Sequence, residues 1–285
     1  MSAILMWMMA ANGKGAWIPC PQSPMEAASE GISEETRLLN GGSYVVRTMG
    51  SRRKYDLIWS GTIAELQPVK DLFDGVYGIG PYFFLDPMAT KNVLPPHWAT
   101  PSLSGGKLWP TLVNSAVPVI AATTISSVYT PPPFAASYTL PSAIPLYAAT
   151  TPKLLIPIPP TATLSLRLWG SVTGTATVQL RLTNRTTGAV TLSTLTPTAI
   201  GAITSLSGAT YSHVEFFITK TTTAASTITL AAFVATVGVP AVIWAAGEGH
   251  SGVEFLGQLG HTNYQAMGLG RKIMAMAAVE VGSWL

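Results

Sequence analysis

The sequence has a single cysteine, Cys20, so no disulfide can form within the chain. It also has little charge: Asp, Glu, Lys and Arg supply 10% of its 285 residues, against about 25% in ordinary domains. The missing disulfides fit assembly in a reducing compartment. The sparse charge leaves Thr, Ser and backbone to face outward, a surface suited to packing against other chains. Basic residues form no stripe. Their one cluster, Arg52-Arg53-Lys54, reads as a short exposed turn, and no nucleic-acid partner is expected. The four histidines, His97, His213, His250 and His261, have no metal-ligand spacing, and CxxC and HExxH are absent. Metal and cofactor are therefore both expected to be none. No apolar run reaches the roughly 18 residues of a membrane span. The best candidate, residues 228–246, is broken by Gly238 and Pro240 and reads as two strands. The apolar start, residues 3–11, lacks a preceding Lys or Arg and reads as a buried first strand rather than a signal peptide.

Catalytic equipment is equally scarce. "GEGHSG" (247–252) puts Glu248, His250 and Ser251 together, but a nucleophile elbow needs G-x-S-x-G, and this segment is one residue short. Glycoside cleavage needs two carboxylates across the bond. The second half of the chain offers Glu215, with Glu248 and Glu254 near its end. On "SHVEFFITK" (212–220), Val214, Phe216 and Ile218 share one face, and His213, Glu215 and Phe217 the other. His213 and Glu215 read as a polar pair on the solvent side. The glycine-rich "GIGPYFF" and "GLGRK" fail as phosphate loops, and Asn184-Arg185-Thr186 is a chance match to the glycosylation triplet. The chain reads as no enzyme.

What the chain does have is β-pattern in two styles. Charge is ordinary up to about residue 97. Between Leu103 and Ala246 the only acid is Glu215. The Pro/Gly-rich segment between the two styles gives a first domain at 1–97, a linker at 98–110 and a second domain at 111–285. In the first domain, "GSYVVRT" (42–48) and "KYDLIWSG" (54–61) read as strands. "TIAELQPVKDLFDGV" (62–76) reads as a helix: Thr62 and Glu65 have capping-box spacing, and Ile63, Leu66, Val69, Phe73 and Val76 form a stripe. Pro68 conflicts with it, so either the helix proper begins near Pro68 or its first turn is irregular. "YFFLD" (82–86) then returns as a strand. In the second domain short strands recur at 153–160, 162–172, 176–184, 212–220, 226–235 and 240–247, and "RKIMAMAAVEVGSWL" closes the chain. That spacing predicts an antiparallel sandwich or jelly roll. Trp98, Trp109, Tyr129, Phe134 and Tyr138 lie in or near Pro-rich segments, where they read as interface more than as platforms for sugar rings.

The order of residues 54–87 resembles minor tail proteins of long-tailed phages that infect actinobacteria. The matching residues are Trp59, Gly61, Asp74, Gly75, Gly80, Pro81, Tyr82, Phe83, Asp86 and Pro87. The unit is also similar to the distal tail protein. The resemblance implies a mainly β chain: an N-terminal β-sandwich of tail-tube type with one α-helix, then a C-terminal antiparallel β-sandwich like galectins or carbohydrate modules. It implies a tail-tip protein of the virion, forming a ring of copies of itself, six by the family's habit. Contacts would run through sheet edges and the helix, with the tail tube and other tail-tip proteins as partners. Host-surface glycan is a further possible partner. The alternative is a free carbohydrate-binding or adhesin module, and a cell-wall hydrolase is a weaker third.

Overall fold

The computed structural model describes residues 5–21, 28–37, 43–86, 89–100, 119–122, 134–140, 148–149, 155–220, 224–241, 243–249, 252–264 and 271–280. The chain is mainly β. A hairpin opens it, β1 (Leu5–Ala10) and β2 (Gly15–Pro19), turned at Asn12-Gly13, where Gly13 takes φ 84°. A ribbon follows, β3 (Ala28–Arg37) and β4 (Ser43–Thr62), then helix α1 (Ile63–Phe73) and β5 (Tyr82–Leu85). After the helical turn α2 (Pro96–Ala99) come β6 (Val119–Ala122), β7 (Phe134–Leu140), β8 (Ala148–Ala149), β9 (Leu155–Pro157) and β10 (Thr163–Thr173). The chain continues through β11 (Ala176–Asn184), β12 (Val190–Leu195), β13 (Ala202–Ser207), β14 (Tyr211–Lys220) and β15 (Ser226–Val237). It ends with β16 (Val253–Tyr264) and β17 (Arg271–Glu280).

Composition alone sends everything after residue 110 to one sandwich, but the pairing does not. The first sheet runs β2-β1-β5-β16-β17-β4-β3, so the last two strands return to lie between β5 and β4. The sandwich is inserted between β5 and β16. Its sheets are β13-β10-β15-β7-β6 and β12-β11-β14-β8, with β9 also on β14. Part of the expected linker is core: Trp98 and Ala99 pack with Leu164 and Phe233. Residues 101–118, with Trp109, lie outside the described residues, as does Tyr129. Alternation of apolar residues marks the buried face of a strand. It does not say which sheet supplies the neighbours.

Helix α1 begins at Ile63 in spite of Pro68. The capping box is formed: Glu65 N–H donates to Thr62 Oγ1 (3.3 Å), and Thr62 N–H donates to Glu65 Oε2 (2.8 Å). Pro68 removes the bond to the Ala64 carbonyl, but Ala64 is exposed and water can serve it. The buried stripe is Leu66, Val69 and Leu72, while Ile63 and Val76 face solvent. At the far end Gly75 takes φ 75°. Its N–H donates to Leu72 O and that of Val76 to Asp71 O, a Schellman stop.

Strands β1 and β5 are covered on both faces, which accounts for three consecutive aromatics. Register places Met8 opposite Phe84 and Met9 opposite Phe83. Met6, Met8, Tyr82 and Phe84 join the core under α1 with Trp59 and Leu66. Trp7, Met9 and Phe83 turn the other way and meet Leu155 of the sandwich. Two aromatics therefore anchor the helix and one anchors the second lobe.

Two connections run side by side between the lobes. Val93 N–H donates to Ala235 O, Glu248 N–H to Asn92 O and Gly249 N–H to Leu94 O. A Cβ on Gly249 would overlap the Val93 carbonyl, so glycine is what lets the outgoing strand lie this close.

Two further expectations are corrected. Arg52-Arg53-Lys54 is no turn: β4 continues through it, paired with Ala28, Ser29 and Glu30. Residues 240–247 are no strand. They lie over the outer face of one sandwich sheet, where Ala241 packs with Trp169 and Val234 and its N–H donates to Ser165 Oγ (3.0 Å).

Candidate functional site

The strand–helix–turn–strand unit places its signature residues mostly inside. Trp59 is buried, and its indole N–H donates to Pro19 O (2.9 Å). Gly61 makes room for Glu65 and Leu66. Asp74 caps α1 and pairs with Lys70, and Gly75 makes the stop. Gly80 lies against the Glu254 carboxyl, and Pro81 follows it through a cis peptide. The Tyr82 hydroxyl donates to the carbonyls of Leu72 and Gly78 (3.1 and 3.0 Å), tying the helix end to β5. Phe83 faces the other lobe. Asp86 is half-exposed at the lobe junction, and Pro87 lies outside the described residues.

Burial pushes the Glu254 carboxyl up from the ordinary carboxylate range. The folded chain then holds that proton more tightly than the unfolded one. The residue favours folding below its unfolded pKa and loses that contribution as pH rises through its folded value. Glu254→Gln is expected to raise stability over wild type at neutral pH and to match it near about pH 4, where the acid is neutral. Urea unfolding at both pH values measures this, and an equal difference at both would contradict it.

His213 and Glu215 share a face, but it is not the solvent side. They are 4% and 7% exposed, and the β1–β2 turn of the first lobe comes down on His213. Ser212 Oγ lies 3.0 Å from His213 Nδ1, His213 Nε2 4.0 Å from Glu215 Oε1, and Arg181 Nη1 3.4 Å from Glu215 Oε2. The series looks like a nucleophile, base and acid. It has no room for a substrate: a Cβ on Gly13 would come within 2.9 Å of Ser212 Oγ. The Ser212 hydroxyl also donates to Thr183 O (3.3 Å). The "GEGHSG" loop is likewise structural where it is described. Residues 248–249 pair with 92–94, and Lys91 N–H donates to Glu248 Oε2 (3.2 Å). His250 and Ser251 lie outside the described residues. Among the described residues no cluster could hold a metal ion, and no helix is long and apolar enough to cross a membrane.

Of the aromatics near the Pro-rich segments, Trp98 is buried, as an interface residue should be, and Phe134 and Tyr138 fall on β7. The aromatic that does reach a concave surface is Trp17, on edge strand β2. It stands directly opposite Trp7, with ring centres 5.4 Å apart at 66°. Together with Leu5, Asp86, Thr90 and Val239 the two line a groove of about 380 Å³ between the lobes. The Asn12-Gly13 dipeptide, a hairpin signal, marks this strand in the sequence. Burial raises the nearby Cys20 thiol above its ordinary value, with Asp86 adding to the shift, so the cysteine is no ready nucleophile.

No protein-family model matches the chain, and no curated protein matches it. Among solved structures, one similar chain is TmCBM61 in complex with β-1,4-galactotriose, at 9% identity, covering 51% of this chain and 98% of that one, with a TM-score of 0.35. Another comes from the structural basis of promiscuous specificity in carbohydrate-binding modules of the β-sandwich superfamily, at 12% identity, covering 82% and 85%, with a TM-score of 0.28. Likenesses of this strength say nothing about ligand or activity, and the fold stands on the strand pairing alone.

Proposed function

We propose that this chain is a non-catalytic structural subunit of a phage tail tip that joins its neighbours through the β3–β4 ribbon. One observation carries the reading. β17 pairs with β4 over residues 54–62, whereas β3 pairs with it over residues 43–54. The two partners hardly overlap, so the ribbon extends about 30 Å beyond the body of the sheet. A lone two-stranded ribbon is marginal in water, and its edges invite further strands. Strand β3 is the edge strand of its sheet. The ribbon is rich in charge, with Glu30, Glu34 and Glu35 on one strand and Arg47, Arg52 and Arg53 on the other. An arm of this kind gives a head-to-tail contact that closes into a ring.

The test replaces residues 31–51 by Asn-Gly. The shortened chain keeps its body and is expected to stay monomeric by light scattering where the full chain assembles. Assembly of the full chain should weaken with added salt. Rings that persist in the shortened chain, or tails that lack the protein by mass spectrometry, contradict the reading. The carbohydrate-binding alternative needs an exposed aromatic platform. Trp98 and Trp169 of the sandwich are buried, and Trp244 is half-buried with its indole N–H on the Ala99 carbonyl (3.4 Å). Glycan-array binding by the shortened chain would favour that alternative.

A further inference from the structure

We propose that the groove between the lobes binds an alkylammonium group, a small cation sheathed in methyl or methylene groups. The site lies outside the ribbon and does not depend on its role. At about 380 Å³ the groove is in the range of small-molecule sites. One wall is Trp17, 38% exposed and braced by Trp7 of the neighbouring strand. Bracing fixes an indole surface at the groove without further ordering cost. The other walls, Leu5, Leu85, Val93 and Val239 among them, are aliphatic.

Polar groups decide the ligand class. Among the described residues the lining has one charged side chain, the Asp86 carboxylate, and one hydroxyl, on Thr90. A sugar brings several hydroxyls per ring, and each one left unmatched loses its bond to water. Two side chains cannot serve them. A quaternary ammonium has no N–H and asks for no hydrogen bonds. It needs an aromatic surface, apolar walls and a counter-charge, and those are what line the groove. The same aromatic pair already carries a cation, because the Arg185 guanidinium lies 5.7 Å from the Trp7 ring centre. A second cation beside it requires an anion, and Asp86 provides one. Because Pro159 and Val239 come from the sandwich and Trp17 from the first sheet, a ligand here clamps the two lobes together.

Choline chloride is the probe, titrated into the full chain at constant ionic strength and followed by tryptophan fluorescence and calorimetry. The control is 3,3-dimethylbutan-1-ol, which has the same shape without the charge. Choline is expected to saturate the fluorescence change, with the neutral analogue at least about tenfold weaker. Trp17→Ala should abolish binding, and Asp86→Asn should weaken it about tenfold. Asp86→Asn keeps the shape of the side chain, and both variants are checked by circular dichroism. Four results overturn the proposal: no saturable choline binding, equal binding of the neutral analogue, choline binding unchanged in Asp86→Asn, or β-1,4-galactobiose binding that is lost in Trp17→Ala.

Discussion

Replacing Asn92 by Leu should cost about 4 kcal/mol or more, the largest effect expected from any single side chain here. Asn92 is completely buried where the two connections cross β15. Its Oδ1 accepts from the N–H groups of Leu94 (3.2 Å) and Ala235 (3.1 Å). Its Nδ2 donates to the carbonyls of Phe233 (3.1 Å) and Ala245 (2.9 Å). Each donor meets an acceptor, and a flipped amide would set like against like, so its orientation is determined. Leucine has similar bulk, so little cavity is left and the cost comes from orphaned backbone. Two buried N–H groups and two carbonyls lose their partner, at about 1–3 kcal/mol each. Urea unfolding measures the loss. A cost below about 1 kcal/mol would mean that water takes over the site, and the latch would not be what holds the connections.

Asn92 also shows where sequence reading ends. It sits in a Pro-rich stretch that reads as the approach to a linker, and apart from Leu94 its partners lie 141 to 153 positions away, where nothing nearby announces them. Local signals were legible. The Thr62–Glu65 box, the Asp74-Gly75 stop and the alternating β10 and β11 appear where their patterns place them. Long-range placement was not. The pattern of residues 271–280 marks a strand but does not say that Thr62 and Lys54 are its neighbours in sheet order. His213 and Glu215 show the same limit. Their alternation assigns them correctly to the face opposite Val214, but only the hairpin of the other lobe makes that face an interior. Strand β3, ASEGISEETR, has no apolar alternation to betray it. At the groove, Trp17 stands in a strand of five residues, too short for an alternation to mark it.

Arg185→Lys should cost about 2–4 kcal/mol although charge is conserved, because three carbonyls depend on the planar fork. Arg185 stands in the β11–β12 turn, which Asn184 shapes by accepting from the N–H groups of Thr186 and Thr187 (3.0 and 2.9 Å). From there the guanidinium donates to the carbonyls of Gly208 (2.6 Å), Tyr211 (3.0 Å) and Ile158. Its plane also approaches Trp7 of the other lobe. Burial lowers its pKa from the usual guanidinium value, and the carbonyl dipoles oppose that shift by favouring the cation. An ammonium cannot reach three carbonyls in one plane, and whichever it leaves lose their bond. Salt separates this account from an ion pair. Carbonyl partners are not screened as a surface carboxylate would be, so the cost of Arg185→Lys should be the same in dilute buffer and in about 1 M NaCl. The same variant should alter the near-ultraviolet dichroism of Trp7, because the cation over its ring is what connects the turn to the first lobe. A cost that vanishes in high salt, or a Trp7 signal that does not change, would place the stabilisation elsewhere, in the packing of Trp7, Met9 and Phe83 on Leu155.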